Sequence, residues 1–260
     1  MTTSPDAFGK PLAAVTGASS GIGLELTRQF TEHGFDVVVA AEDERIHTVE
    51  ALDTVRADLS TPAGVEEFYA RITATGRPLD AIAINAGIGS GGPFADTDLA
   101  ADLAIVDLNV RSSVHLAKLA VRDMAARGAG RILFTSSIAA TQPGPFEATY
   151  AASKAFLLSF SEALREELKD TGVTVTALMP GPTDTEFFDR AGMQDTRVGA
   201  SSSKDDAAQV AAQGFEALMK GKDHVVAGSV KNKIMAGGAK ITPETVKARM
   251  HRAMSEPGSD

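Results

Sequence analysis

The sequence contains no cysteine in its 260 residues, which excludes disulfides, thiolate nucleophiles and cysteine-ligated zinc sites. It also lacks a dense basic stripe and carries a formal net charge of −9, which argues against nucleic acid as a partner. Histidines are few and do not follow the spacing of metal ligands, so we expect no metal site: His33, His47, His115, His224 and His251.

Long apolar runs are absent as well. No segment approaches the roughly 18 consecutive apolar residues of a membrane span. The first ten residues show neither the basic start nor the apolar core of a signal peptide. We therefore expect a cytoplasmic protein without stable membrane association. What the chain does have is length and 43% hydrophobic residues, enough for one large α/β domain.

Short β-branched runs alternate with amphipathic segments along the chain, beginning with a run typical of a buried strand. Strands are predicted at residues 12–16, 36–41, 53–57, 80–87, 131–136, 173–179 (broken by Pro180) and 224–228. Helices are predicted at residues 25–34, 62–76, 98–127, 150–169 and 205–219, with a short helix from Glu44. This order predicts an α/β fold, a doubly wound parallel sheet with its ligand site beyond the carboxyl ends of the strands.

The segment between the first predicted strand and the first predicted helix reads Thr16-Gly-Ala-Ser-Ser-Gly-Ile-Gly. A helix N-terminus offers unpaired N–H groups and a partial positive charge, and a phosphate reaches them only where the backbone is bare. Gly17 would make the tight turn, Gly21 would admit a pyrophosphate, and Gly23 would let helix and strand pack closely. Taken alone, the motif also fits a glycine-rich turn that binds no ligand.

Further short motifs follow in order along the chain: Asn85-Ala86-Gly87, Asn109, Ser137, Tyr150-x-x-x-Lys154 and Pro180-Gly181. Together with residues 16–23, they resemble the short-chain dehydrogenase/reductase family over roughly residues 10–228. Each motif is common by itself, but the ordered set is highly specific. The resemblance implies a Rossmann fold in a single domain, and beyond the resembling part we expect a C-terminal helical extension at residues 229–260. It also implies an oxidoreductase that transfers a hydride between NAD or NADP and a ketone or secondary alcohol.

The resemblance implies that Asn109, Ser137, Tyr150 and Lys154 are catalytic. Tyr150 and Lys154 are four residues apart and share a helix face, so the ammonium should lower the phenol pKa from about 10. The phenol then exchanges a proton with the substrate oxygen, which Ser137 hydrogen-bonds. Lys154 is also expected to hold the nicotinamide ribose, and Asn109 to bend its helix and anchor a water on a proton path. Plainer roles also fit, a strand end for Ser136 and Ser137 and a helix bend alone for Asn109.

Cofactor binding is assigned by the resemblance to the glycine loop and to segments that follow the strands: Gly17, Ser19, Ser20, Gly21, Ile22, Gly23, Glu42, Asp58, Leu59, Asn85, Ala86, Gly87, Tyr150, Lys154, Pro180, Gly181, Thr183 and Thr185. Asp58 is implied to contact the adenine, although it could instead cap a helix, a role that Ser60 and Thr61 suit better. Thr185 is implied to contact the nicotinamide carboxamide, with Thr183 as the competing candidate.

The end of the second strand, Ala40-Ala41-Glu42-Asp43, bears on the choice between NAD and NADP. The acid that usually selects NAD would fall at Ala41, and Glu42 stands where an arginine usually selects NADP. Two carboxylates near the ribose 2′ position disfavour a 2′-phosphate, so we favour NAD. Glu42 and Asp43 could instead only begin a short helix, and Arg45 could reach a 2′-phosphate.

The loops predicted around the reacting carbon are mostly apolar, so we expect a neutral ketone or secondary alcohol with apolar substituents. The side chains concerned are Ile88, Phe94, Pro143, Phe146, Phe187 and Phe188. The resemblance implies a homodimer or homotetramer built on the two long helices, near residues 98–127 and 149–170.

A short basic helix predicted at residues 243–254 departs from the common ending of the family. It could cap the substrate pocket, join a subunit contact, touch an anionic membrane surface weakly or lie in solvent. Two other functions stay open for the chain. One is a nucleotide-sensing regulatory protein on the same fold, and the other is an epimerase or dehydratase with a tightly bound cofactor.

Overall fold

The structure, a computed structural model, describes residues 9–229, Asn232 and residues 243–259. Its strands are β1 (Leu12–Thr16), β2 (Asp36–Ala41), β3 (Asp53–Arg56), β4 (Leu79–Ile84), β5 (Gly130–Thr135), β6 (Val173–Pro180) and β7 (His224–Ala227). They form one seven-stranded sheet in the order β3-β2-β1-β4-β5-β6-β7, and every neighbouring pair is parallel. The predicted doubly wound parallel sheet is confirmed.

The helices are α1 (Gly21–Glu32), α2 (Pro62–Ala74), α3 (Leu99–Ile105), α4 (Ser113–Arg127), α5 (Ala148–Leu168), α6 (Phe187–Arg190), α7 (Arg197–Ala200), α8 (Ala207–Met219) and α9 (Glu244–Ser255). Short 3₁₀ turns occupy Glu44–Thr48 and Ile138–Thr141. A π-helical turn, Val106–Ser112, joins α3 to α4, so the long helix predicted from residue 98 is continuous but widened at its centre.

Two boundaries differ from the prediction for physical reasons. Helix α1 begins at Gly21 rather than at residue 25, because the last glycines of the loop already form its first turn. Strand β6 includes Pro180, which is its final residue and lies opposite Ala227. A proline lacks an N–H group but is tolerated at the end of a strand, so Pro180 ends the strand without breaking it.

The sheet is buried on both faces, which explains its continuous apolar strands. All five residues of β1 are buried, and the first four alternate between two cores. Leu12 and Ala14 pack with residues of α2, α4 and α5, whereas Ala13 and Val15 pack with residues of α1 and α8. Because both faces are covered, the strands lack the polar alternation of a half-exposed sheet.

The strand order reverses between β1 and β4, and a crevice forms there at the carboxyl ends of the strands. The segments after β1, β4, β5 and β6, which carry the predicted motifs, therefore meet at one edge. Among the described residues, no helix is long and apolar enough to cross a membrane. Of the predicted extension at 229–260, residues 230, 231, 233–242 and 260 lie outside the described part, as do residues 1–8.

Candidate active site

A cavity of about 920 Å³ lies at the carboxyl ends of the strands. Every residue predicted to bind cofactor lines it, from Gly17 to Thr185, as do Ser137, Tyr150 and Lys154. Asn109 is the one predicted site residue that does not line it, because it is fully buried behind the wall. The structure thus brings together residues that are up to 168 positions apart in sequence, from 17 to 185.

The glycine loop is closely fitted between β1, β4 and α1. Gly17 and Gly21 have φ values of 67° and 55°, which side chains disfavour. A Cβ on Gly17 would lie 2.9 Å from the Cα of Ala86. A Cβ on Gly23 would lie 2.7 Å from the carbonyl carbon of Gly17 and would overlap its oxygen, so this glycine lets α1 pack on the loop.

The N-terminus of α1 is open towards the cavity. Ser20 holds the N-cap position, but its side chain makes no capping hydrogen bond within the described residues. The first helical hydrogen bond runs from the amide of Leu24 to the carbonyl of Ser20, at 3.3 Å. The amides of residues 21–23 therefore precede the helical bonds, and a bare helix end of this kind attracts phosphate.

Ser137, Tyr150 and Lys154 meet where β5 and α5 face the cavity. The ammonium of Lys154 is buried, donates to the carbonyl of Thr135 at 3.0 Å and lies 5.6 Å from the centre of the Tyr150 ring. The Ser137 hydroxyl accepts a hydrogen bond from the amide of Ala139 at 3.0 Å, which holds its oxygen at the end of β5. The Tyr150 ring packs on Phe187, with ring centres 5.0 Å apart.

The charge environment of Tyr150 reverses one expectation. Burial raises the pKa of the phenol, the nearby Glu147 carboxylate raises it further, and the Ser137 hydroxyl opposes both without outweighing them. Burial also lowers the pKa of Lys154 to about 8. The expected lowering of the Tyr150 pKa by Lys154 is therefore wrong for this state of the pocket, because sequence spacing showed the lysine but neither the burial nor Glu147.

Asn109 lies in the π-helical turn between α3 and α4. Its side-chain oxygen accepts from the amide of Ile88 at 3.0 Å, and its amide donates to the carbonyl of Ile88 and to Ser153 Oγ, both at 2.9 Å. These bonds clamp the loop after β4 against α5. Gly87 lies between the side chains of Asn109 and Lys154. A Cβ at this position would lie 3.1 Å from Asn109 Oδ1 and 3.2 Å from Lys154 Nζ.

Asn85 ties the centre of the sheet together below the cavity. Its amide nitrogen Nδ2 donates to the carbonyl of Thr16 at 3.0 Å, and its Oδ1 accepts from the Thr135 hydroxyl at 3.0 Å. The Thr16 hydroxyl in turn accepts from the backbone amides of Asn85 and Ala86, at 2.9 and 3.0 Å. These bonds connect β1, β4 and β5 at the point where their carboxyl ends meet the cavity.

At the end of β2, the residue fixed against the glycine loop is Asp43 rather than Glu42. Asp43 accepts from the Ser19 hydroxyl at 2.6 Å and from Arg45 Nε at 3.0 Å. Partial burial opposes ionisation of Asp43, but the hydrogen bonds from Ser19 and Arg45 and the Arg45 charge outweigh it and lower the pKa. Arg45 also donates two hydrogen bonds to Glu186, at 2.7 and 2.9 Å, so it is held by carboxylates.

The other predicted cofactor residues also have defined local bonds. Asp58 lines the cavity and accepts from the amide and hydroxyl of Ser60, at 2.9 and 2.6 Å, while Thr61 caps α2. The buried Thr183 donates to the carbonyl of Gly181 at 2.9 Å. The methyl group of Thr185 faces Gly21, at 2.9 Å from a Cβ built on that glycine. Both threonines line the cavity, so the choice between them stays open.

Only some of the apolar side chains predicted to surround the substrate line the cavity. Ile88, Phe187 and Phe188 line it, but Phe94 is 66% exposed and Pro143 is exposed outside it. Phe146 does not line the cavity either, because its ring lies beside the guanidinium of Arg252 at 5.3 Å. Other apolar side chains complete the wall instead: Ala104, Leu108, Ile138, Ala139, Val198 and Met254.

A family model described as short chain dehydrogenase matches residues 11–196 of this chain. The chain belongs to the short-chain dehydrogenase family. A short chain dehydrogenase of Pseudocercospora fijiensis is 32% identical over 188 residues, which cover 67% of this chain and 60% of that protein. Dehydrogenase/reductase SDR family member 7B of Rattus norvegicus is 31% identical over 235 residues, which cover 83% of this chain and 72% of that protein.

Solved structures of the short-chain dehydrogenase family share the fold. A short-chain dehydrogenase from Sphingobium yanoikuyae in complex with NADPH is 27% identical, with a TM-score of 0.75, covering 83% of this chain and 87% of that chain. A family member from Burkholderia phymatum in complex with NAD has a TM-score of 0.78 at 23% identity, covering 93% of this chain and 96% of that chain.

A further relative by sequence, the probable oxidoreductase EphD of Mycobacterium tuberculosis, is 33% identical over 195 residues, but the match spans only 33% of the length of EphD.

Sequence reasoning missed a polar group in this family member's cavity. Glu147, His251 and Ser255 all line it, and the last two lie on α9. Of the four positions considered for the C-terminal helix, the structure therefore supports a cap over the substrate end of the cavity. The signal for Glu147 was its place three residues before Tyr150, just ahead of the predicted helix that begins there. No sequence pattern connects either residue with His251, about a hundred positions away.

Proposed function

We propose that this family member is an NAD(P)-dependent oxidoreductase that interconverts a ketone and a secondary alcohol, with Tyr150 as the general acid and base. The observation that carries this is the convergence of Ser137, Tyr150 and Lys154 on the same cavity as the open N-terminus of α1. A phosphate-binding loop and a proton donor that share one cavity fit a nucleotide cofactor and a substrate placed side by side.

The residues fit such a cofactor. The bare backbone at Gly17 and Gly21 and the free amides of residues 21–23 would hold a pyrophosphate. Lys154 would donate to ribose hydroxyls, and Asp58 and Leu59 would flank the adenine. When bound, a nicotinamide supplies or accepts the hydride.

The chain's own residues would handle the proton. The raised pKa of Tyr150 keeps its phenol protonated at neutral pH, which suits donation to a carbonyl oxygen. Ser137 would hydrogen-bond the same oxygen and hold it against the phenol. In the opposite direction Tyr150 must first lose its proton, so alcohol oxidation should need a higher pH than carbonyl reduction.

NAD is the favoured cofactor in this proposal. Asp43 is ionised and hydrogen-bonded to Ser19 of the glycine loop, and Glu42 lines the cavity beside it. A 2′-phosphate placed there would meet two carboxylates. Arg45, the base that could counter them, already pairs with Asp43 and Glu186, whose carboxylates raise its pKa further.

A homodimer or homotetramer through the two long helices is also proposed. Leu99 and Leu103 on α3 are 68% and 53% exposed, and Phe156 on α5 is 38% exposed. Large apolar side chains on adjacent exposed helices are typical of a protein interface. A cytoplasmic location belongs to the same proposal, and cell fractionation tests it.

Substitution of the catalytic tyrosine tests the function directly. Tyr150→Phe should abolish reduction of ketones by NADH or NADPH while leaving cofactor binding nearly unchanged, since only the proton donor is lost. The control is Tyr69→Phe at the chain's other tyrosine, which hydrogen-bonds Asp123 away from the cavity and should keep its activity. Turnover that survives in Tyr150→Phe would refute the assignment.

The two alternative functions predict different results. A nucleotide-sensing protein would bind cofactor but reduce no ketone at all, with Tyr150 intact. An epimerase or dehydratase with a tightly held cofactor would purify with nucleotide bound, which an absorbance spectrum of the purified protein shows. The presence of Ser137, Tyr150 and Lys154 in one cavity favours the oxidoreductase over the sensing protein.

A further inference from the structure

Helix α9 buries a polar face instead of an apolar one. Its buried residues are Lys247, His251 and Ser255, which are spaced four apart and therefore lie on one face. Val246 and Met250, by contrast, are 41% and 58% exposed. A surface helix normally buries its apolar side. This helix is arranged the other way, which indicates that its inner face serves polar partners.

Those partners belong to the segment before α5, from Thr141 to Glu147, the N-cap residue of that helix. Lys247 Nζ donates to the carbonyl of Thr141 at 3.1 Å. His251 Nε2 donates to Glu147 Oε2 at 2.8 Å, and the Ser255 hydroxyl donates to the same oxygen at 2.7 Å. The other ring nitrogen of His251, Nδ1, faces the side-chain amide of Gln142 at 3.0 Å. Helix α9 thus fixes the orientation of the Glu147 carboxylate.

These contacts occupy only one of the two oxygens of the Glu147 carboxylate. Both donors bind Oε2, and Oε1 has no hydrogen-bond partner among the described residues. Glu147 is the N-cap residue of α5, yet its side chain does not cap that helix. The residue is 7% exposed and lines the cavity together with Tyr150. Oε1 is not among the fully buried side-chain atoms that lack a partner in the described residues, so it is open to the cavity, where a ligand can donate a hydrogen bond to it.

The chemistry of the wall limits what that donor can be. A carboxylate or phosphate on the substrate would be repelled by Glu147. An ammonium carries three donors and would find one unpaired carboxylate oxygen, with the apolar side chains of Met254 and Phe187 in the same wall. A hydroxyl group has a single donor, and Oε1 can accept it without leaving any donor of the ligand unpaired.

We propose that Glu147, oriented by His251 and Ser255, is a specificity site that binds a hydroxyl group of the substrate. The proposal rests on the proposed oxidoreductase function. It extends the expected apolar ketone to a ketone with a second, hydroxyl-bearing position. In the reverse direction the substrate is a diol. Helix α9 is then part of the substrate site, because it supplies the two donors that leave Oε1 facing the ligand.

The test uses matched ketones that differ in one group. The panel is cyclohexanone, its ring-hydroxylated isomers, their methyl ethers and the corresponding aminoketones, each assayed for kcat/KM with the preferred cofactor. At least one hydroxyketone should exceed cyclohexanone by about tenfold, as a hydrogen bond to a charged group predicts. Its methyl ether should lose this gain, because an ether oxygen cannot donate.

Variants then assign the gain to Glu147. In Glu147→Gln, the amide oxygen would stay with His251 and Ser255, so an NH₂ group would face the cavity and the hydroxyl-to-ether preference should fall to unity or reverse. Ser255→Ala, which frees the carboxylate without removing it, should reduce the preference in part. Arg249→Gln, on the exposed side of α9, should leave it unchanged. Because the readout is a ratio between substrates, any effect of Glu147 on the proton transfer by Tyr150 cancels.

Binding of the same panel, followed by saturation-transfer NMR, gives the comparison without turnover. Reduction of cyclohexanone with no advantage for any hydroxyketone would overturn the hydroxyl site and leave the oxidoreductase function intact. Equal gains from the hydroxyketone and its ether, or a larger gain from the aminoketone, would overturn it as well. Selective binding of a hydroxyketone with no turnover by either cofactor would support the site and refute the proposed function.

Discussion

Gly23→Ala is a substitution for which local and tertiary effects have opposite signs. Gly23 lies in the first turn of α1 and has no positive φ value, so alanine suits its backbone. By helix propensity alone, the change should stabilise the protein by about 1 kcal/mol. In the folded protein, however, the new Cβ would lie 2.7 Å from the carbonyl carbon of Gly17, where ordinary contacts begin at 3.4 Å.

The magnitude follows from this overlap. The backbone of α1 or of the glycine loop must move by at least 0.7 Å, the difference between 3.4 and 2.7 Å, and it cannot rotate away as a side chain can. Overpacking costs about 1–3 kcal/mol, and a contact with backbone belongs at the upper end, so we expect a net loss of about 2 kcal/mol. For a chain of this size that lowers Tm by about 4–8 °C. The same displacement moves the amides of residues 21–23, so NADH affinity should fall at least about tenfold.

Thermal melting and titration of NADH, followed by its own emission because the chain has no tryptophan, measure both effects. The control is Gly214→Ala in α8, where the new Cβ would meet Leu178 Cδ2 at 2.9 Å, the movable end of a side chain. This variant should keep its Tm within a few degrees and bind NADH normally. A Gly23→Ala protein that melts and binds NADH like the wild type would refute the close packing of loop and helix.

Three other predictions follow from the site and the surface. Asp43→Asn should weaken NADH binding relative to NADPH, because in the proposed complex it removes a charge that would accept from the ribose and repel a 2′-phosphate; direct titration of both cofactors measures the ratio. Burial lowers the pKa of Lys154 to about 8, so the lysine loses its charge as pH rises through that value, and NADH affinity should fall there, as titrations on both sides of pH 8 would reveal. Leu103→Glu should shift the protein towards the monomer in sedimentation, because it places charges in the proposed interface.

Each of these predictions has a contrasting result. Tighter binding of NADPH than of NADH by the unchanged protein would mean that Asp43 faces away from the cofactor. A Lys154→Arg variant stays charged over the same pH range, so a pH dependence that persists in it would remove Lys154 as its cause. Leu52→Glu, at a 50% exposed leucine away from α3 and α5, should not change the sedimentation, and an equal effect of both variants would argue against a defined interface.

The fold could be predicted from the sequence because its signals, short apolar runs that alternate with amphipathic segments, lie within single stretches of the chain. The continuous apolar runs at β1 and β2 indicated strands buried on both faces, and their alternation with helices predicted a parallel sheet. The spacing of Tyr150 and Lys154 placed both on one face of α5, and the position of Ser137 after β5 placed it at the edge of the sheet where they meet. A parallel sheet brings the carboxyl ends of its strands together, so the sheet geometry predicted a ligand site there, and the resemblance to the short-chain dehydrogenase/reductase family assigned the residues to it.

Only the tertiary structure decided the electrostatics of that cavity and its polar wall. The pKa of Tyr150 depends on its burial and on the nearby Glu147 carboxylate. The four-residue spacing of Tyr150 and Lys154 predicts neither the burial nor the carboxylate. Which acid at the end of β2 contacts the glycine loop depended on the Ser19–Asp43 hydrogen bond between separate segments. The pairing of Glu147 with His251 joins residues 104 positions apart. Such long-range contacts have no sequence period, because chain packing and not local geometry brings these side chains together.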